Sequence, residues 1–134
     1  MLKRIVLAAL LAVSMTAQAR HGAVPMVEPQ PVAIPQGASS ADVEKAIIDC
    51  GVNRGWTVED KKPGAVTLKY APRDFWLTVA VSYDARSVKI AYKDSFNLEY
   101  GSEDGKPVIH PNYNRWTNNL AHDLAGKLAL ASVK

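Results

Sequence analysis

The sequence is poor in the residues that staple small folds, cluster metals or grip nucleic acid. Its 134 residues include one cysteine, Cys50. A lone thiol forms no intramolecular disulfide, and there is no Cys-x2-Cys pair to hold zinc. Histidine is almost as scarce. His21, His110 and His122 lie far apart, without His-x-His or His-x3-His spacing. No metal or other cofactor is expected on these grounds. A weaker candidate is copper held by His21 beside a processed N-terminal amine. Long apolar runs are absent too. Ile5–Val13 spans nine residues, whereas a helix needs roughly 20 to cross a bilayer.

That short run has its own meaning. Lys3 and Arg4 precede it, and Ala17-Gln18-Ala19 follows with small residues where a signal peptidase reads. Residues 1–19 are expected to be a cleaved signal peptide and the product a soluble, exported protein, periplasmic in a Gram-negative cell. Ser14–Ala19 contains no cysteine to accept lipid, so no stable membrane anchor is expected. Removing Lys3 and Arg4 leaves 14 basic and 13 acidic side chains, and the formal charge falls from +3 to +1. A nucleic-acid reader needs a strong basic excess, so no nucleic-acid partner is expected.

The remaining chain divides in two. In residues 20–38, Pro25, Pro29, Pro31 and Pro35 are half of all eight prolines. Proline fixes φ and lacks a donor, so this stretch favours extended polyproline II. It reads as a flexible tail, or as a docking strand laid on a partner or on the domain's own edge. Residues 39–134 form the single domain. Ser39 or Ser40 caps a first helix with Asp42 and Glu44 in its opening turn. Val43, Ile47 and Cys50 recur as one apolar stripe, and Gly51 or Gly55 closes the helix.

Period-two segments follow. Trp56–Glu59 is short; Val66, Leu68 and Tyr70 alternate with Thr67 and Lys69. Leu77, Val79, Val81 and Tyr83 then alternate with Trp76, Thr78, Ala80 and Ser82, and Val88, Ile90 and Tyr92 with Ser87, Lys89, Ala91 and Lys93. Turn signals separate them, and there is no room for parallel crossovers. Phe96, Leu98 and Tyr100 read as an extension of the last strand past a bulge. Glu103-Asp104-Gly105 is a turn with Val108-Ile109 returning alongside. From Pro111 or Asn112 to about Ala131, Trp116, Leu120, Leu124 and Leu128, flanked by Tyr113, stripe a second helix. The predicted fold is an α+β two-layer sandwich: helix, four-stranded antiparallel meander, helix, with both helices on one face.

The stretch from Tyr92 to Tyr100, then Ile109-His110-Pro111-Asn112-Tyr113-Asn114-Arg115-Trp116 and Asn119-Leu120, resembles the signature of a widespread group of small exported bacterial envelope proteins and lipoproteins. The likeness covers roughly residues 40–128. It implies an envelope location and a fold but no particular chemistry. This chain departs from the lipoprotein members in lacking the lipidation cysteine.

The densest polar cluster, Asp94, Ser95, Asn97, Tyr100, His110, Asn112, Tyr113, Asn114 and Arg115, lies inside that block, with Trp116 beside it. One reading makes it a binding rim for a glycan or peptide, its mixed donors and acceptors set over an aromatic floor. The plainer reading has Asn and Asp holding turns and capping the second helix. A hydrolytic site using His110 with Ser95 or Asp94 is the enzymatic alternative, though no Gly-x-Ser-x-Gly elbow surrounds Ser95. Cys50 falls on the apolar stripe, where a thiol packs rather than reacts. Arg115, Asn118, Asn119, His122 and Asp123 form the second helix's solvated face. The outward sheet face carries Lys69, Lys89, Lys93 and Trp76; its isolated lysines read as ordinary solubility devices, or the face meets an anionic envelope polymer or a second copy in a homodimer. The sequence thus points to a non-catalytic binding or interaction module of the envelope. Its partner would be an envelope protein or glycan. A further alternative is an assembly factor that docks through its proline-rich tail.

Overall fold

A computed structural model describes residues 22–131, so the expected signal peptide and His21 lie outside the described residues. The fold is α+β, with two helices packed together and antiparallel sheets. Helix α1 spans Ser40–Asn53 and α2 spans Asn112–Ala131. Ser39 is the N-cap of α1. Its hydroxyl accepts from Asp42 N–H while the Asp42 carboxylate accepts from Ser39 N–H, so two orphan donors are satisfied reciprocally. Arg54 closes the helix, and Gly55 follows at φ +89°, the left-handed geometry in which only glycine is unstrained.

The larger sheet has the order β2-β6-β5-β4-β3, where β2 is Val32–Ala33, β3 Thr57–Lys62, β4 Ala65–Tyr70, β5 Trp76–Tyr83 and β6 Ser87–Phe96. The meander is present, but the sheet has five strands rather than four. The extra strand comes from the proline-rich segment, which lies along the edge of β6 with Val32 opposite Val88. A second sheet, absent from the sequence reading as such, has the order β1-β8-β7, with β1 Val24–Pro25, β7 Gly101–Glu103 and β8 Lys106–Ile109. The segment expected as a flexible tail therefore pairs with both sheets. Pro25 lies in the edge strand β1, where proline is tolerated, and Pro29 and Val32 are buried.

Turn chemistry sets the registers. Pro63-Gly64 joins β3 to β4, with Gly64 at φ +81°. The Asp84 carboxylate accepts from Arg86 and Ser87 N–H at 2.7 and 2.9 Å, tying the β5–β6 turn. Asp104 and Gly105, both at positive φ, form the two-residue turn of the β7–β8 hairpin.

Val66, Leu68, Leu77, Val79, Val81, Val88 and Ile90 from the sheet share one buried cluster with Val43, Ile47 and Cys50 of α1 and Leu120, Leu124 and Leu128 of α2. Each fully buried aliphatic side chain contributes about 1.5–3 kcal/mol. Between the helices, Arg54 pairs with Asp123 at 2.7 Å and Lys127 with Asp49 at 3.9 Å. No helix among the described residues is long and apolar enough to cross a membrane.

One irregularity positions the site. Val79 lies opposite Tyr92 but Thr78 lies opposite Asp94, so Lys93 is an extra residue in β6. The bulge inverts the side-chain alternation beyond it. Ser95 then takes the side of Leu77, while Asp94 and Phe96 take the outward side of Thr78 and Trp76. The strand stops at Phe96. Asn97 and Glu99 adopt φ +62° and +59°, and the chain turns so that Leu98 is buried and its carbonyl accepts from His110 N–H. Leu98 and Tyr100 are therefore not strand residues.

Candidate functional site

The residues proposed as a rim converge on the start of α2 and the bulged end of β6, but α2 divides them between two surroundings. On one side, Tyr113 is fully buried and donates its hydroxyl to the Glu28 carboxylate. The second carboxylate oxygen accepts from Tyr92 N–H at 2.8 Å. Tyr92 stacks on Tyr100 at 4.3 Å between centroids, meets Tyr113 edge-on at 5.9 Å, and shares a 2.7 Å hydroxyl contact with Ser95. Burial, and then the neighbouring Glu28 carboxylate, pushes the Tyr113 phenol well above its ordinary range. It stays protonated and remains a donor. Asn114 uses both ends of its amide on the proline-rich segment. It accepts from Val27 N–H at 2.9 Å and donates to the Pro25 carbonyl at 3.0 Å.

Several rim residues serve local structure. His110 Nδ1 accepts from Asn112 N–H at 3.0 Å, and its carbonyl accepts from Tyr113 N–H, so His110 caps α2. Asp94 accepts from Ser95 N–H at 2.8 Å, and Asn97 donates to the Asp74 carbonyl at 3.2 Å. Ser95 and His110 thus bond to different partners and share no hydrogen bond among the described residues. Cys50 is buried, and desolvation raises its thiol pKa. No group of three or more metal-ligating side chains occurs among the described residues.

On the other side of α2, Arg115 and Trp116 face an open cleft of about 240 Å³ lined with Arg54, Trp56, Tyr70 and Asn119. Trp116 stacks on Phe75 at 5.4 Å and meets Tyr70 edge-on at 5.1 Å, and Tyr70 packs on Trp56 at 5.2 Å. These four rings form a continuous wall, with contacts in the preferred geometry for aromatic pairs. Arg54 is held by both oxygens of Asp123, at 2.7 and 3.2 Å, and its charge is thereby matched. Among the described residues, Arg115 donates to a neutral amide oxygen, Asn112 Oδ1, at 2.6 Å and meets no carboxylate at the mouth.

Sequence reasoning found Arg115 and Trp116 but missed Trp56, Tyr70, Phe75 and Arg54, which lie 40 or more residues away in the chain. Their only local signal was aromatic clustering at the ends of β-segments. Glu28 was missed as well, since nothing near it in the chain hints at Tyr92 or Tyr113. A broader open groove of about 990 Å³ runs beside α1. Several of its polar groups are already paired, with Lys61 bound to Glu44 at 2.9 Å, Tyr83 reaching the same carboxylate and Lys45 bound to Asp49 at 2.8 Å. The smaller cleft is therefore the better candidate. Comparison of the chain with protein-family models, curated proteins and solved structures finds no match, and the assignment of a site rests on these contacts.

Proposed function

We propose that the protein is a non-catalytic binding module of the cell envelope, exported and periplasmic, as the leader-like N-terminus and the envelope-protein resemblance suggest. The fold behind this reading is a two-layer sandwich with both helices over the sheet face that carries Val66, Leu68, Val79 and Ile90. The cleft at Arg115 and Trp116 is the ligand site. One observation carries it: a guanidinium with no carboxylate partner among the described residues stands in a cleft lined by the packed rings of Trp56, Tyr70 and Trp116 and by the Asn119 amide. That combination suits a ring-bearing polar ligand with an anionic group, such as an acidic glycan or peptide fragment of the envelope. Ring faces contact apolar patches, while arginine takes a carboxylate bidentately.

The test is tryptophan fluorescence titrated with envelope glycan and peptide fragments. Binding should alter Trp116 emission, and Arg115→Ala should weaken it at least tenfold while moving Tm by no more than about 2 °C, as for a surface residue. If no fragment changes the emission, or Arg115→Ala unfolds the chain, the reading fails.

A further inference from the structure

The segment from Val24 to Ile34 is held in the way one protein holds another's peptide. The domain mostly reads its backbone. Asn114 clamps Pro25 and Val27, Met26 N–H donates to the Pro107 carbonyl at 3.0 Å, and Ile34 N–H donates to the Arg86 carbonyl at 2.8 Å. β1 adds to the edge of β8 and β2 to the edge of β6, so one extended stretch bridges two sheets. Between those pairings the prolines cannot donate, and the Glu28 carboxylate takes over, bonding Tyr92 N–H and the Tyr113 hydroxyl. Pro29 and Val32 are the buried knobs. Strand addition to free edges, a few apolar pockets and one charged anchor are the elements of extended-peptide recognition. Polyproline-prone peptides suit such a groove because little conformational freedom is left to lose.

We infer that the groove between β8, the first turn of α2 and the bulged end of β6 is a receptor for an extended, proline-rich peptide bearing a glutamate. The chain's own segment fills it in cis, and a peptide of the same chemistry exchanges with it in trans. A tethered segment acts at an effective concentration of roughly millimolar, so an untethered competitor is masked while the connection is intact. That connection is an exposed turn at Gln36-Gly37, where Gly37 has φ +98° and open space around its Cα. Exposed turns of this kind tolerate insertion.

The experiment inserts a site-specific protease sequence at Gln36-Gly37 of the full chain and cleaves it after folding. A fluorescent peptide with the sequence of residues 22–36 is then followed by anisotropy, with circular dichroism recording the fold. Saturable binding to the nicked, folded chain is expected, with little uptake by the intact chain. A Glu28→Gln peptide should bind roughly tenfold more weakly, since it loses a charge-assisted contact, and Asn114→Ala in the nicked chain should weaken the unaltered peptide. Three results would overturn the inference: no uptake by a folded nicked chain, equal affinity for the Gln peptide, or loss of the fold as the segment leaves. The last would make the segment a structural strand. None of these readouts depends on the Arg115 cleft.

Discussion

The Glu28 carboxylate accepts the hydroxyl of Tyr113, a residue 85 positions later in the chain. Its other oxygen caps the N–H of Tyr92 in the bulged strand. One exposed side chain thus joins the proline-rich segment, the sheet edge and the second helix. It does so at the spot where backbone pairing is interrupted by prolines.

Removing either partner should show this. Tyr113→Phe keeps the buried ring and loses only the hydroxyl, and is expected to cost about 1–2 kcal/mol in urea unfolding. Glu28→Ala should cost a similar amount. The double variant should lose less than the sum of the two, because both single changes break the same contact.

Two helical glycines should respond differently to alanine. Around Gly126 in α2 nothing lies within 4 Å of an added methyl, so Gly126→Ala should stabilise by about 0.5–1 kcal/mol through helix propensity. At Gly51 the methyl would meet the two ends of buried Leu68 at 2.9 and 3.2 Å. Gly51→Ala is expected to fall short of Gly126→Ala by at least about 1 kcal/mol, compared by thermal unfolding.

The turn after β6 stores backbone strain. Glu99 holds φ +59° and its side chain makes no hydrogen bond among the described residues, so Glu99→Gly should be neutral or stabilising by up to about 1 kcal/mol. Asn97, at φ +62°, tolerates that region, and its amide also bonds the Asp74 carbonyl. Asn97→Gly should therefore gain nothing or destabilise. Chemical denaturation of the two variants distinguishes the positions.

Acid should act partly through the pair that links the helices. The Arg54 guanidinium holds the Asp123 carboxyl below the usual aspartate value. A depressed folded pKa gives stability that is present above the unfolded pKa of about 3.9 and is lost as pH falls through the folded value. Asp123→Asn should lower Tm near neutrality, and its deficit should shrink below about pH 4. A deficit that stays constant down to pH 2 would mean the ion pair contributes nothing.

Much of this structure was written locally. The Val43–Ile47–Cys50 and Leu120–Leu124–Leu128 stripes, the alternation of β4 and β5, the Ser39 cap and the Pro63-Gly64 and Asp104-Gly105 turns are all legible within a few residues. Each depends on a helical or strand period or on the φ preference of one residue. The polar block from Asp94 to Arg115 was legible as a cluster too. Its division was not. Lys93 is a bulge only because β6 must match β5 on one side, and a single extra residue turns Asp94 and Phe96 outward and Ser95 inward.

The proline-rich stretch shows the same boundary from the other direction. Its extended character is a covalent property of proline and needs no partner. Its place across β8, β6 and α2 depends on acceptors and donors contributed from 52 to 89 residues away. The wall of Trp56, Tyr70, Phe75 and Trp116 is likewise assembled from separate parts of the chain: the residues just before β3 and β5, the end of β4, and α2. Side-chain periodicity is a property of neighbouring residues, so the sequence alone determined the two helices, the meander strands and the apolar stripes of α1, α2, β4 and β5. Which edges meet, and which polar groups end up covered or open, depends on contacts made only after the chain closes on itself, and the tertiary structure alone decided it.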